Sequence, residues 1–167
     1  MTTALIERVV EGLDGVVKES ISANWRDGDW TRQIKAMCKA IAEERGYEIY
    51  ASGLPNSAGG EWLYDVTMMR YSETNGIEEL ALVLESEWIQ TGWEIDNDFT
   101  KLVVSRADAR VMIFQSQTLA AAGNVFERLK HLARAFPGSL LGDQYLLSCW
   151  LAAERRFEHV CFTNSVT

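Results

Sequence analysis

Two apolar stretches of the chain carry acids where apolar side chains would be expected. Asp65 interrupts a run from Trp62 to Met69 that is otherwise aromatic, aliphatic or β-branched. Glu85 and Glu87 fall at the end of a second run, Leu80 to Trp88. A carboxylate withdrawn from water must be paired, protonated or bound to a cation. Carboxylate oxygens are hard ligands, so a cluster of them selects Mg²⁺, Mn²⁺ or Ca²⁺ rather than zinc. A divalent ion held in this way activates a bound water and stabilises charge on a phosphate. Lys101 lies one turn into the helix predicted after Glu87 and is the natural cationic partner. From there its ammonium could return to the acids, orient a water or offset a developing negative charge. The candidate catalytic set is therefore Asp65, Glu85, Glu87 and Lys101, with Asp65 and Glu85 as ligands to Mg²⁺ or Mn²⁺. The competing reading pairs Asp65 with an arginine, leaves both glutamates at an exposed strand end and puts Lys101 in solvent. Glu43 and Glu44 could add a ligand, though a solvated helix face accounts for them more simply.

Other residue types point to less. His131 and His159 have no second histidine or carboxylate at metal-ligand spacing, and a structural role is expected for both. No serine nucleophile elbow is present, and residues 56–60, NSAGG, lack the Gly-Lys-Ser/Thr ending of a phosphate-binding loop. Cysteines 38, 149 and 161 are odd in number and form no CxxC pair, which predicts a reduced, cytoplasmic protein without a zinc site. The six tryptophans, at 25, 30, 62, 88, 93 and 150, lack repeat spacing and are expected mostly in the core or between helix and sheet.

The elements that must position the acids follow from periodicity. Leu5, Ile6, Val9, Val10, Leu13, Val16 and Val17 recur at helical spacing over 3–22. A second helix is predicted from an N-cap at Asp29 to Arg45, with Trp30, Ile34, Met37, Cys38 and Ile41 inward and Gly46 as a left-handed stop. The period then changes to that of strands at 47–52, 61–71 and 79–88, the last two joined by a turn at Asn75-Gly76. Alternation puts Glu85 and Glu87 on one face with Ala81 and Val83, and a hairpin brings Asp65 near Glu85. A helix capped by Asp96 or Asn97 runs to about Arg106, a strand covers 109–114, a helix starts near Thr118 and stops at Pro137-Gly138, and strands at 145–152 and 157–162 follow. The order α, α, β, β, β, α, β, α, β, β predicts an α/β (α+β) fold, a mixed sheet flanked by helices, with the helix between the third and fourth strands permitting a parallel pair.

At 167 residues and 18.8 kDa, with 47% hydrophobic and 24% charged residues, the chain reads as a single domain over 1–167 with a core of its own. No apolar run approaches the roughly 18 residues of a membrane span. Glu7 and Glu11 inside the first apolar pattern argue against a signal peptide. The net charge of −8 disfavours general nucleic-acid binding. It is unevenly spread, however: eight Lys/Arg stand against 19 Asp/Glu in residues 1–100, a net of −11, and eight against five in residues 101–167, a net of +3. A basic rim formed by Lys101, Arg106, Arg110, Arg128, Lys130, Arg134, Arg155 and Arg156 could meet nucleic acid; the alternative is a set of solvated faces.

A helix, three strands, a helix and a strand, with an acid on the second strand and a second acid near the end of the third, resembles the PD-(D/E)XK restriction-endonuclease-like superfamily over about Thr31 to Gln115. The resemblance places Asp65 at the motif aspartate and Glu85 at the second acid. Glu87 stands where the family usually has lysine; some members carry Glu-x-Glu there, and others carry the lysine on a neighbouring helix, the place Lys101 would take. What it implies is Mg²⁺-dependent phosphodiester hydrolysis by a nuclease, on an αβββαβ core extended by an N-terminal helix and by a C-terminal helix and two strands. The alternative is a non-catalytic binding or regulatory protein on the same fold, acting on a protein partner.

Overall fold

The computed structural model describes residues 2–20, 25–89 and 92–164. Helix α1 (Thr2–Ser20) buries Leu5, Ile6, Val9, Leu13, Val16 and Val17, the stripe its spacing predicts. The expected extension to residues 21 and 22 lies outside the described residues. Helix α2 (Asp27–Arg45) starts three residues earlier than expected. Arg26 is the N-cap, and Asp29, expected there, sits in the first turn, where its Oδ2 accepts a hydrogen bond from the Arg26 backbone N–H at 3.1 Å. A carboxylate is as useful within the first turn as at the cap, because the unpaired N–H groups and the positive end of the helix dipole are both there. Gly46 ends α2 with φ 71°, a left-handed conformation that costs a side-chain-bearing residue about 1–2 kcal/mol.

Six strands follow in one sheet, β1 (Glu48–Tyr50), β2 (Val66–Ser72), β3 (Gly76–Glu87), β4 (Ala109–Ser116), β5 (Gln144–Leu151) and β6 (Arg156–Thr163), side by side in chain order. The first three pair antiparallel as a meander. Helix α3 (Gly92–Val103) returns the chain for a parallel β3–β4 pair, α4 (Leu119–Ala135) does the same for β4–β5, and β6 closes antiparallel on β5. The result is a mixed sheet with a helix layer on each face. Under α1 and α2 lie Val66, Met68, Leu82, Leu84, Val111, Ile113 and Leu146. Under α3 and α4 lie Val83, Met112, Phe114, Tyr145, Leu147 and Cys149.

Three expectations are revised. The second strand begins at Val66 rather than 61, so Asp65 stands immediately before it, and 61–65 is an irregular segment folded over β2, where the Trp62 carbonyl accepts from Thr67 Oγ1 at 3.0 Å. The third strand contains a bulge. Met68 pairs with Leu82 and Met69 with Leu80, leaving Ala81 unopposed. Ala81 consequently joins Leu82 on the α1/α2 face, Leu80 moves to the face of Val83, and Glu85 shares a face with Val83 but not with Ala81. Helix α3 starts at Gly92, before the expected caps Asp96 and Asn97, and ends at Val103. Asp96 lies within it, and its Oδ1 accepts from Arg128 Nε of α4 at 2.9 Å, a contact no local signal announces.

Candidate carboxylate–lysine site

Asp65 enters the site at the start of β2. The register Val66–Leu84, taken one step further, sets it opposite Glu85. Its Oδ2 accepts from the Ser86 backbone N–H at 2.9 Å and from the Ser86 hydroxyl at 2.7 Å. Two donors from the neighbouring strand thus fix one oxygen and leave Oδ1 as the other acceptor. Ser86 lies between the two glutamates and drew no attention in the sequence, because its role depends entirely on strand pairing.

Glu85 is the buried acid, 3% exposed, on a strand flanked on both sides by other strands. Lys101, in the last turn of α3, brings its Nζ to 2.6 Å from Glu85 Oε1 and 2.9 Å from Asp98 Oδ1. Burial pushes the Glu85 carboxyl up to about 7; Lys101 works against that shift, and the nearby charges of Asp65 and Asp98 add to it. For Lys101, burial opposes the charged form, but hydrogen bonds to Glu85 and Asp98 outweigh it, and its pKa lies above the ordinary value. Tyr64 closes one side, with its hydroxyl 3.3 Å from the Lys101 carbonyl that accepts it, and burial followed by the Glu85 charge raises its pKa.

Of the four sequence candidates, the structure brings Asp65, Glu85 and Lys101 together. Glu87 stands two residues beyond Glu85, but its Oε1 accepts from the Ile89 backbone N–H at 2.6 Å, at the point where β3 ends. Glu43 and Glu44 pair with Lys39 and Arg8 on exposed helix faces. Tyr64, Ser86 and Asp98 belong to the site without having been singled out; Asp98, one turn before Lys101, is the one that i,i+3 spacing could have revealed. Next to the site, Glu61 Oε1 accepts from buried Lys35 Nζ of α2 at 2.8 Å and from Ser52 Oγ at 2.6 Å, and these hydrogen bonds lower the Glu61 pKa, with a smaller contribution from Lys101.

The basic rim is reduced by pairing. Arg110 is buried against Asp143, and Lys101, Arg128, Lys130 and Arg156 also form ion pairs. Elsewhere, Ser148 Oγ lies 2.9 Å from His159 Nδ1, and His159 Nε2 lies 3.5 Å from Asp14 Oδ1. The order is that of a nucleophile, base and acid, but Ser148 is wholly buried on β5, where no substrate reaches it. All three cysteines are free, two buried and Cys161 exposed. Among the described residues no helix is long and apolar enough to cross a membrane, and no group of three or more His, Cys, Asp or Glu is arranged around a metal position.

Two carboxylates nonetheless fit one kind of cation. Mg²⁺ keeps most of its waters and is commonly held by one or two protein carboxylates together with substrate phosphate. Glu85 on β3 and Asp65 just before β2 supply hard oxygens, and among the described residues the cation paired with buried Glu85 is Lys101. Comparisons with protein-family models, curated proteins and solved structures found no match.

Proposed function

We propose that the chain is a metal-dependent phosphodiesterase of the nuclease type, with Asp65 and Glu85 holding Mg²⁺ or Mn²⁺ and Lys101 as the catalytic cation. The observation that carries this reading is the placement of a buried glutamate across from an aspartate that immediately precedes the adjoining strand, with a lysine from the following helix 2.6 Å from the glutamate. The bound ion would supply an activated water and charge stabilisation at phosphorus. The chain's own groups do the rest. Ser86 orients Asp65 through two hydrogen bonds, so the Asp65 carboxylate needs little reorganisation to receive a ligand. Asp98 holds Lys101 on its helix face, and Glu85 and Asp98 together favour the protonated Nζ, which makes Lys101 a donor to a phosphoryl oxygen and unsuited to act as a base. Glu87 fixes the exit of β3 and is assigned no catalytic role.

A second reading has one observation in its favour. Asp65 spends an oxygen on Ser86 and Glu87 spends one on Ile89, so carboxylates that could serve a metal also serve the fold. On that reading the chain is a binding or regulatory protein whose carboxylates are structural. Cleavage of labelled single- and double-stranded DNA and RNA in millimolar Mg²⁺ or Mn²⁺ at low salt separates the two. The nuclease reading requires cleavage that stops with EDTA and in Glu85→Gln. No cleavage of any substrate, or cleavage that survives Glu85→Gln, moves the assignment to the binding protein.

A further inference from the structure

A cavity of about 250 Å³ opens at the amino-terminal ends of the parallel strands β4 and β5, where Ala109 pairs with Gln144. Its walls are the connection from α3 to β4, with Arg106 and Asp108, the buried Arg110 of β4, and the turn before β5, with Leu140, Leu141 and Asp143. No residue of the carboxylate–lysine site is among the residues that line it. Backbone hydrogen bonds hold both walls. The Asp108 N–H donates to the Leu80 carbonyl at 2.9 Å, the Gly142 N–H to the Asn164 carbonyl at 3.0 Å and the Asn164 N–H to the Asp143 carbonyl at 3.0 Å. Asp143 spends its carboxylate within the wall: Oδ2 accepts from the Leu140 N–H at 2.8 Å, and Oδ1 lies 3.2 Å from Arg110 Nη2. A ligand entering here would meet walls that are already ordered.

The Asp143 pair satisfies only part of Arg110. The side chain is 3% exposed, its Nη2 also donates to the Ser105 carbonyl at 3.0 Å, and the guanidinium lies over the Tyr145 ring, 5.2 Å from the centroid. Its Nε and Nη1 are buried with no acceptor among the described residues. Buried donors without acceptors are costly, most of all on a charged group. Arg106 and Asp108 are exposed, and neither side chain has a hydrogen bond or ion pair among the described residues. Leu140 and Leu141, 55% and 69% exposed, add apolar surface. Charge decides between ligand classes. The two cations and two acids of the cavity balance. A simple anion meets Asp108, which has no ion-pair partner, and a simple cation meets Arg106 and the unfilled donors of Arg110. A ligand carrying both charges satisfies each group and leaves the balance unchanged. The volume, below the roughly 300–1,000 Å³ of drug-sized sites, calls for a small one. We infer that the cavity binds a free amino acid with an apolar side chain, its carboxylate received by Arg110 and Arg106, its ammonium by Asp108 and its side chain by Leu140 and Leu141. The inference holds whether or not the chain cleaves phosphodiesters.

The test is isothermal titration of the whole chain at pH 7 and low salt with L-leucine, glycine, N-acetyl-L-leucine and L-leucinamide. N-acetyl-L-leucine keeps the carboxylate and loses the ammonium; L-leucinamide does the reverse. L-leucine should bind, and each of these two derivatives about ten-fold or more weaker, because each lacks one charge-assisted hydrogen bond. Glycine, which leaves Leu140 and Leu141 uncovered, should also bind more weakly than L-leucine. Arg106→Ala and Asp108→Asn should each weaken L-leucine about three-fold or more. Both side chains are exposed, so the variants are expected to fold, and thermal melting serves as the control. Equal binding of N-acetyl-L-leucine would make the cavity an anion site, and equal binding of L-leucinamide a cation site. Either result, wild-type affinity in both variants, or no binding of L-leucine at millimolar concentration overturns the inference.

Discussion

Glu85 is the residue on which the site's electrostatics turn. Its folded pKa of about 7 lies above the ordinary 4.5, so between those values the folded state retains a proton that the unfolded chain has released. Stability from this group is fully present at low pH and is lost as pH rises from about 4.5 through 7, by roughly 3 kcal/mol at 1.36 kcal/mol per unit. Glu85→Gln keeps the shape and removes the titration. Urea unfolding at several pH values should show the variant gaining on wild type across that window by up to about 3 kcal/mol; parallel profiles would count against a buried, titrating Glu85. Lys101→Met removes the ammonium assigned to the phosphoryl oxygen and should lower the cleavage rate by about 100-fold or more, with Lys101→Arg recovering part. An unchanged rate in Lys101→Met would return Lys101 to a purely structural ion pair. Asp65 and Glu85 were legible because a charge inside an apolar pattern is visible in one dimension, and Lys101 because a short connection after Glu87 returns its helix toward them. Ser86 and Asp98 were not, since a serine in a strand and an acid on a helix become specific only when a partner arrives from another segment.

At the scale of elements, the hairpin of β2 and β3 sets the distance between the two acids. Ser72 pairs with Gly76, and Ser72 Oγ accepts from the Thr74 and Asn75 N–H groups at 3.3 Å, tying the turn to the strand end. Gly76 has φ 79°, where a β-branched residue is most penalised. Gly76→Val should cost about 1–2 kcal/mol, a fall of about 2–8 °C in Tm for a chain of this size, read by circular dichroism; no fall would mean that the turn relaxes without cost. The Asn75-Gly76 signal predicted this connection, and that turn with the alternation at the end of 79–88 predicted the strand that follows, as observed. The bulge at Ala81 had no signal in composition: an unopposed residue is defined by the partner strand, so counting alternation back from Glu85 puts Ala81 on the wrong face. The shift of α3 to Gly92 has a similar origin, because Asp96 spends its carboxylate on α4 instead of capping its own helix.

Across the whole molecule, two apolar layers enclose a sheet in which the buried acid sits at the parallel–antiparallel junction, between β2 and β4. The mixed α/β architecture was readable because each helix and strand declares its period locally. The state of the charges was not, since the net +3 of residues 101–167 counts cations without showing that Arg110, Arg128, Lys130 and Arg156 are already paired. The central claim is that Asp65 and Glu85 form one cation-binding centre. A ligand that binds the folded state alone raises its stability by mass action, by about 2.7 kcal/mol at 100 times its dissociation constant. The decisive measurement is thermal melting with and without millimolar Mn²⁺ at pH 8, where Glu85 is ionised. The account predicts a clear upward shift in wild type, its loss in Asp65→Ala and in Glu85→Gln, and its retention in Glu87→Gln. No shift in wild type, or an equal shift in Asp65→Ala and Glu85→Gln, would contradict it.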